Sequence, residues 1–272
     1  MKDFKLSIKL IEETFDFFKK DKKTFRLFLY SIIAIFLISL SFLLLTFFSY
    51  LNFSENLMKI FLSLFIIYFF LSSFSLFIFH SAIIFHVYSY LSGKKESTLK
   101  CLIRSMGKIF SWFLICSTLG LLVKLLPRKK FVRIEDNFLS NSWSLVSLFV
   151  IPIIMVENKK PLKAFRKASF LIKVNWGEVL RKKVSIKWIF LILGVLVIGI
   201  FLMIYPFLNM LILKLFWFIF LFEYLLMIEA IYLGVKGVFI ASLYSYVNQG
   251  EIRIYSKELI KEAFVRAKFF ET

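Results

Sequence analysis

Apolar residues along this chain fall into six long, continuous runs, each closed off by clusters of lysine, arginine and small polar residues. The runs cover residues 27–51, 60–91, 97–126, 138–156, 188–208 and 211–247, and the third is apolar mainly from Ile109 onward. A helix rises about 1.5 Å per residue, so about 20 residues cross a bilayer core of about 30 Å, and the runs are of that order. Membrane-spanning strands would instead alternate apolar and polar positions over about ten residues. The pattern therefore predicts an all-α fold, a polytopic membrane bundle of six spanning helices forming one domain over residues 1–272.

Three other segments, residues 1–20, 161–174 and 251–270, mix apolar and charged positions at helical spacing. At about 100° per residue, Leu162, Ala164, Phe165, Ala168, Leu171 and Ile172 share one arc, and Lys163, Arg166, Lys167 and Lys173 share the other. Pro161 suits the first helical position, where its missing N–H has no intrahelical partner. Near the N-terminus, Phe4, Ile8, Ile11, Phe15 and Phe18 face one way while Lys5, Lys9, Glu12, Asp16 and Lys19 face another. In the tail, Ile252, Tyr255, Leu259, Ala263 and Phe270 form a weaker stripe. Such helices are too polar to cross a bilayer and too apolar to leave it, so they are expected to lie on its surface.

Composition and charge add orientation. Hydrophobic residues make up 60% of the 272-residue chain, above the roughly 45–50% of soluble domains. The net charge of +19 comes from basic residues in short blocks between the apolar runs, an arrangement suited to an anionic membrane surface rather than to nucleic acid. Placing both termini in the cytoplasm puts 28 of the 36 Lys and Arg residues inside, despite an outer "PRKK" at 127–130. The opening 26 residues carry both charge signs and do not read as a removable signal peptide. Cys101 is expected on the inner side and Cys116 within the bilayer, so no disulfide is expected.

Two acids in the sixth run carry the candidate chemistry. Glu223 shares a helical face with Ala230, Gly234, Gly237 and Ala241, small residues that let helices approach closely, so it is expected to point into the bundle. An acid without a cation at that depth is expected to keep its proton, either bonded to a hydroxyl such as Tyr68 or Ser72 or serving as a proton or cation site. Glu229, on one face with Lys236, is read as structural. His80 and His86 are six residues apart, on opposite flanks of a helix, so no metal site is expected. There is no glycine-rich phosphate loop, nucleophile elbow or paired acid with a histidine, so neither a cofactor nor a catalytic residue is assigned.

The stretches "WFLICSTLG" (112–120), "WSLVSLFVIPIIMVENKKP" (143–161), "PLKAFRKASFLIKVNWGE" (161–178) and "SLYSYVNQG" (242–250) resemble an uncharacterised family of prokaryotic integral-membrane proteins, known only as a domain of unknown function, family 6159. The resemblance runs over nearly the whole chain. It rests on Trp112, Gly120, Trp143, Pro152, Glu157, Pro161, Ala164, Trp176, Gly177, Glu178, Tyr244, Tyr246 and Gly250. Ala168 followed by Ser169 departs from the family's small hydroxyl residue after the basic pair, and Ser147 stands where threonine is usual. The resemblance implies a helical multi-span fold in the cytoplasmic membrane of a prokaryote and no known activity. A distant likeness to membrane domains that accompany glycerophosphodiesterases is architectural only.

Taken together, the residues point to a non-catalytic membrane protein. It would organise anionic lipid headgroups, a protein partner or a second copy at its basic inner face, through Lys163, Arg166, Lys167 and Lys173. The alternative is a small transporter or channel-like permease with a cavity near Glu223. A cavity reaching that acid would favour transport, and a closed bundle with a basic cytoplasmic groove would favour the first reading.

Overall fold

The computed structural model describes residues 2–52, 57–125, 149–176, 181–182, 187–207, 209–250, 253–256, 259 and 264–265. Its helices are α1 (Lys2–Lys20), α2 (Lys22–Asn52), α3 (Leu57–Leu91), α4 (Thr98–Leu125), α5 (149–157), α6 (Pro161–Trp176), α7 (Lys187–Ile204) and α8 (Leu211–Gln249). A short 3-10 turn, Tyr205–Phe207, follows α7. The strands described are a two-residue antiparallel pair, β1 (Arg181–Lys182) with β2 (Phe264–Val265).

Local chemistry sets the helix ends. Asp21 separates α1 from α2, and its carboxylate accepts the backbone N–H groups of Lys23 and Thr24, each at 3.3 Å, capping the start of α2. Asn158 ends α5 in the left-handed region (φ 58°), a conformation asparagine tolerates, and Pro161 then opens α6. Gly250 takes the same region (φ 74°) as its N–H returns to the Tyr246 carbonyl, closing α8. Within the apolar helices, the hydroxyls of Thr46, Ser49 and Ser81 bond back to carbonyls one turn earlier, so they need no water.

Four helical stretches are long and apolar enough to cross a bilayer: Lys22–Leu51, Lys59–Leu91, Ile189–Phe207 and Leu213–Gln249. The expectation of six spans is thus corrected to four among the described residues. The third expected span lies on α4, of which the side chains beyond Cys116 lie outside the described residues. Most of the fourth, 138–148, lies outside the described residues, and only its last turns appear, as α5. The helix expected over 251–270 is also corrected: residues 253–256 are bent and unhelical and Phe264–Val265 pair with β1, while most of the remaining segment lies outside the described residues.

Helices α2, α3 and α8 run together through two cores. In the larger core they are joined by α1, α4, α5 and α6, around Leu10, Phe28, Ile83, Trp112, Ile153, Ala164 and Tyr244. In the smaller core, among the described residues, these three helices meet through Ile35, Phe42, Tyr68, Ile219 and Ala230. Small residues on α8 set the approach. A Cβ on Gly234 would lie 2.7 Å from Phe28 Cδ2, and one on Gly237 would lie 3.1 Å from Ile83 Cγ2.

Candidate functional sites

At the larger core, Glu157 ends α5 and gathers charge from two directions. Lys167, two turns into α6, donates to both its carboxylate oxygens at 2.6 and 2.7 Å, and Lys159 lies at 3.1 Å. The Tyr244 hydroxyl of α8 donates to the same carboxylate. Burial alone would raise the Glu157 pKa, but the hydrogen bonds from Lys167, Tyr244 and Lys159 outweigh it and lower the value below the usual range. The α5 end is held from α4 as well, because Arg104 donates to the Met155 carbonyl at 2.9 Å and sits 4.4 Å over the Phe85 ring.

Helix α6 docks through Ala164 and Ala168, both fully buried, whose small side chains allow close contact. Lys163 and Arg166 are exposed, and Leu162 (70%) and Phe170 (63%) are exposed beside them. On α1 the buried residues are Ser7, Leu10, Thr14, Phe17 and Phe18, so of the expected stripe Phe18 is buried and Ile11 half-buried, whereas Phe4, Ile8 and Phe15 lie outward. The reason lies in α1's neighbours, since Thr14 meets the Tyr255 hydroxyl at 2.7 Å and Phe17 meets the Tyr90 ring.

A second polar cluster ties α2, α3 and α4 near the α1–α2 junction. His86 Nε2–H donates to Asp21 Oδ2 at 3.0 Å, and Cys101 Sγ lies 3.8 Å from the other ring nitrogen. Burial pushes Asp21 up, yet the hydrogen bonds from His86 and Thr24 bring its pKa down to about 2. His80 Nδ1 instead lies 2.8 Å from the Leu233 carbonyl, so the two histidines serve separate contacts. A nearby cleft of about 400 Å³ between α1, the end of α3 and the tail carries both charge signs, from Glu13, Asp16, Lys20 and Arg253.

In the smaller core, Glu223 is half-buried on α8. Ser39 of α2 donates to Glu223 Oε2, Tyr68 of α3 reaches that oxygen at 3.5 Å, and the Ser39 and Tyr68 hydroxyls are 2.7 Å apart. Tyr68 is fixed by stacking on Phe42, with ring centroids 4.6 Å apart. Glu223 Oε1 and the Ser72 hydroxyl are buried with no hydrogen-bond partner among the described residues. Beside this cluster a groove of about 510 Å³ runs between α2 and α8, lined by Phe36, Ser39, Leu40, Trp217, Phe220 and Glu223 among others.

The remaining residues singled out from the sequence are dispersed. Trp112 and Pro152 are buried in the larger core, Tyr246 is half-buried on α8, and Glu229 is exposed on α8. Lys236 sits 5.3 Å from the Tyr232 ring. Gly120 lies in α4 and Trp176 ends α6, while Trp143, Gly177 and Glu178 lie outside the described residues, as does the side chain of Lys173. Ser39 and Asp21 had no signal in the sequence beyond their residue type, because their partners are far away along the chain.

Helix content and span length define the class, a helical chain with several helices able to cross a bilayer. The chain belongs to the family of unknown function DUF6159, which matches residues 56–254. That match takes in Glu157, Glu223 and Tyr244 and leaves α1, Asp21 and Ser39 outside it. No curated protein and no solved structure matches the chain.

Proposed function

We propose that this is a non-catalytic, multi-pass protein of a prokaryotic cytoplasmic membrane, with both termini inside and a basic inner face that gathers anionic lipid. The observation that carries this reading is α6. The helix is anchored to the bundle by Ala164 and Ala168, yet it leaves Lys163 and Arg166 exposed beside Leu162 and Phe170. Cations next to apolar side chains suit the boundary between headgroups and acyl chains. The outward Phe4, Ile8 and Phe15 of α1, interleaved with Lys5 and Lys9, have the same character. Lys167 has a different part, because its ammonium is held by Glu157 and joins α6 to the core.

Lipid retention tests the proposal. Protein purified in detergent and moved into nanodiscs of mixed phosphatidylglycerol and phosphatidylcholine is expected to hold phosphatidylglycerol above its bulk share. The double variant Lys163→Gln, Arg166→Gln should lose most of that excess, as should wild type in high salt. Equal retention by variant and wild type would reduce α6 to a packing element. A protein partner or a second copy on this face would appear instead as a salt-sensitive complex of defined mass.

The groove reaching Glu223 favours a second reading, a small permease or binding protein, because it brings an acid within reach of the bilayer. Flux of a bound ligand in proteoliposomes, lost in Glu223→Gln, would support it.

A further inference from the structure

We propose that the groove between α2 and α8, floored by Glu223, binds lipophilic organic cations. This rests on the second reading above, that the groove takes a ligand.

Three features select the ligand class. First, Glu223 has hydrogen-bonding capacity left over: Ser39 and Tyr68 both address Oε2, whereas Oε1 is buried with no partner among the described residues. No described lysine or arginine forms an ion pair with it. An acid carried into an apolar helix is costly unless something pairs with it, and a donor or positive charge is what the free oxygen lacks. Second, the groove is rich in aromatic residues, namely Phe36, Phe216, Trp217, Phe220 and Tyr224. Aromatic faces attract cations and offer nothing comparable to anions. Third, the groove lies on the outer flank of the bundle, where Phe220 (63%) and Phe36 (51%) are exposed on spanning helices. A ligand reaching it from the bilayer must therefore be lipophilic.

The same features weigh against other occupants. A bare metal ion takes several oxygen ligands, and the polar side chains lining the groove are Ser39, Glu223 and Tyr224. A neutral acyl chain would fill the apolar part and leave Oε1 unanswered. The volume, about 510 Å³, falls within the range of small-molecule sites.

Binding of radiolabelled tetraphenylphosphonium to the full-length protein in nanodiscs tests this, with neutral triphenylphosphine oxide as competitor. Binding is expected to be saturable and little affected by the competitor. Glu223→Gln keeps the shape and a bond to Ser39, and it should weaken binding about tenfold or more, the scale of losing a charge-assisted contact. Leu40→Trp, which fills the groove with Glu223 intact, should abolish binding and provides the test if the Gln variant does not fold. If Leu40→Trp lowers binding of cation and neutral compound alike while Glu223→Gln changes neither, the groove is an apolar site and the cation proposal fails alone. If Leu40→Trp changes neither, the groove takes no ligand and the second reading fails with it.

Discussion

Glu157 and Glu223 are both acids that meet a tyrosine, and their other neighbours separate their roles. Glu157 holds two lysines and Tyr244, so Glu157→Gln leaves Lys167 poorly compensated and should cost about 1–3 kcal/mol at neutral pH, read from the unfolding midpoint of purified protein. Its folded pKa is depressed, so its contribution is complete above the ordinary value of 4.5 and is lost as pH falls below it. Wild type and Gln variant should therefore converge in acid. At Glu223, Gln retains an acceptor for the Ser39–Tyr68 pair and should change stability little, whereas Glu223→Leu removes the acceptor that both hydroxyls share and should cost about 1 kcal/mol. Glu223 could be singled out from the sequence because an acid in a long apolar run, on the same face as a row of small residues, is conspicuous. Ser39 could not, since it lies 184 residues away and resembles every other serine in those helices.

Helix faces were less legible than helix positions. The sequence pattern places α1 correctly, yet the face it buries is the one with Ser7, Leu10 and Thr14, because Tyr255 and Tyr90 wait on that side. On α8 the small residues mark the close-packed face directly, and Gly234→Ala should destabilise the bundle by about 1–3 kcal/mol, since the buried Phe28 ring must move. Thermal unfolding of the variant measures this. The α1–α2 junction carries a sharper test. Cys101 is fully buried beside His86, so Asp21→Asn should speed its labelling by N-ethylmaleimide severalfold at neutral pH. The depressed pKa of Asp21, about 2, means that its contribution is complete above 3.8 and is lost as pH falls towards 2, so hydrogen exchange at this junction should rise across that window.

At the scale of the whole molecule, charge placement makes the orientation testable. Single cysteines introduced as Lys19→Cys or Lys95→Cys, in a background with Cys101 and Cys116 replaced by serine, should resist a membrane-impermeant maleimide in intact cells and react once the cells are opened. Labelling from outside would overturn the inner placement of the N-terminus. Helices α2, α3 and α8, with 31, 35 and 39 residues, are longer than the roughly 20 that a bilayer core requires, and their surplus length is where the larger core forms with α1, α4, α5 and α6.

By itself the sequence determined that this protein is helical, where its longest apolar helices run and where its basic residues cluster. These are local properties, because a helix satisfies its own backbone and hydropathy is read one segment at a time. It did not determine how many runs become spanning helices, because a helix long and apolar enough to cross a bilayer can equally be buried inside a bundle. Only the tertiary structure decided that Glu157 joins α5, α6 and α8, that Glu223 meets Ser39 as well as the expected Tyr68 while one oxygen has no partner among the described residues, and that a groove opens beside it. Each of these depends on which of several equally apolar faces two helices turn towards one another, and that choice is fixed by the fit of side chains far apart in the chain.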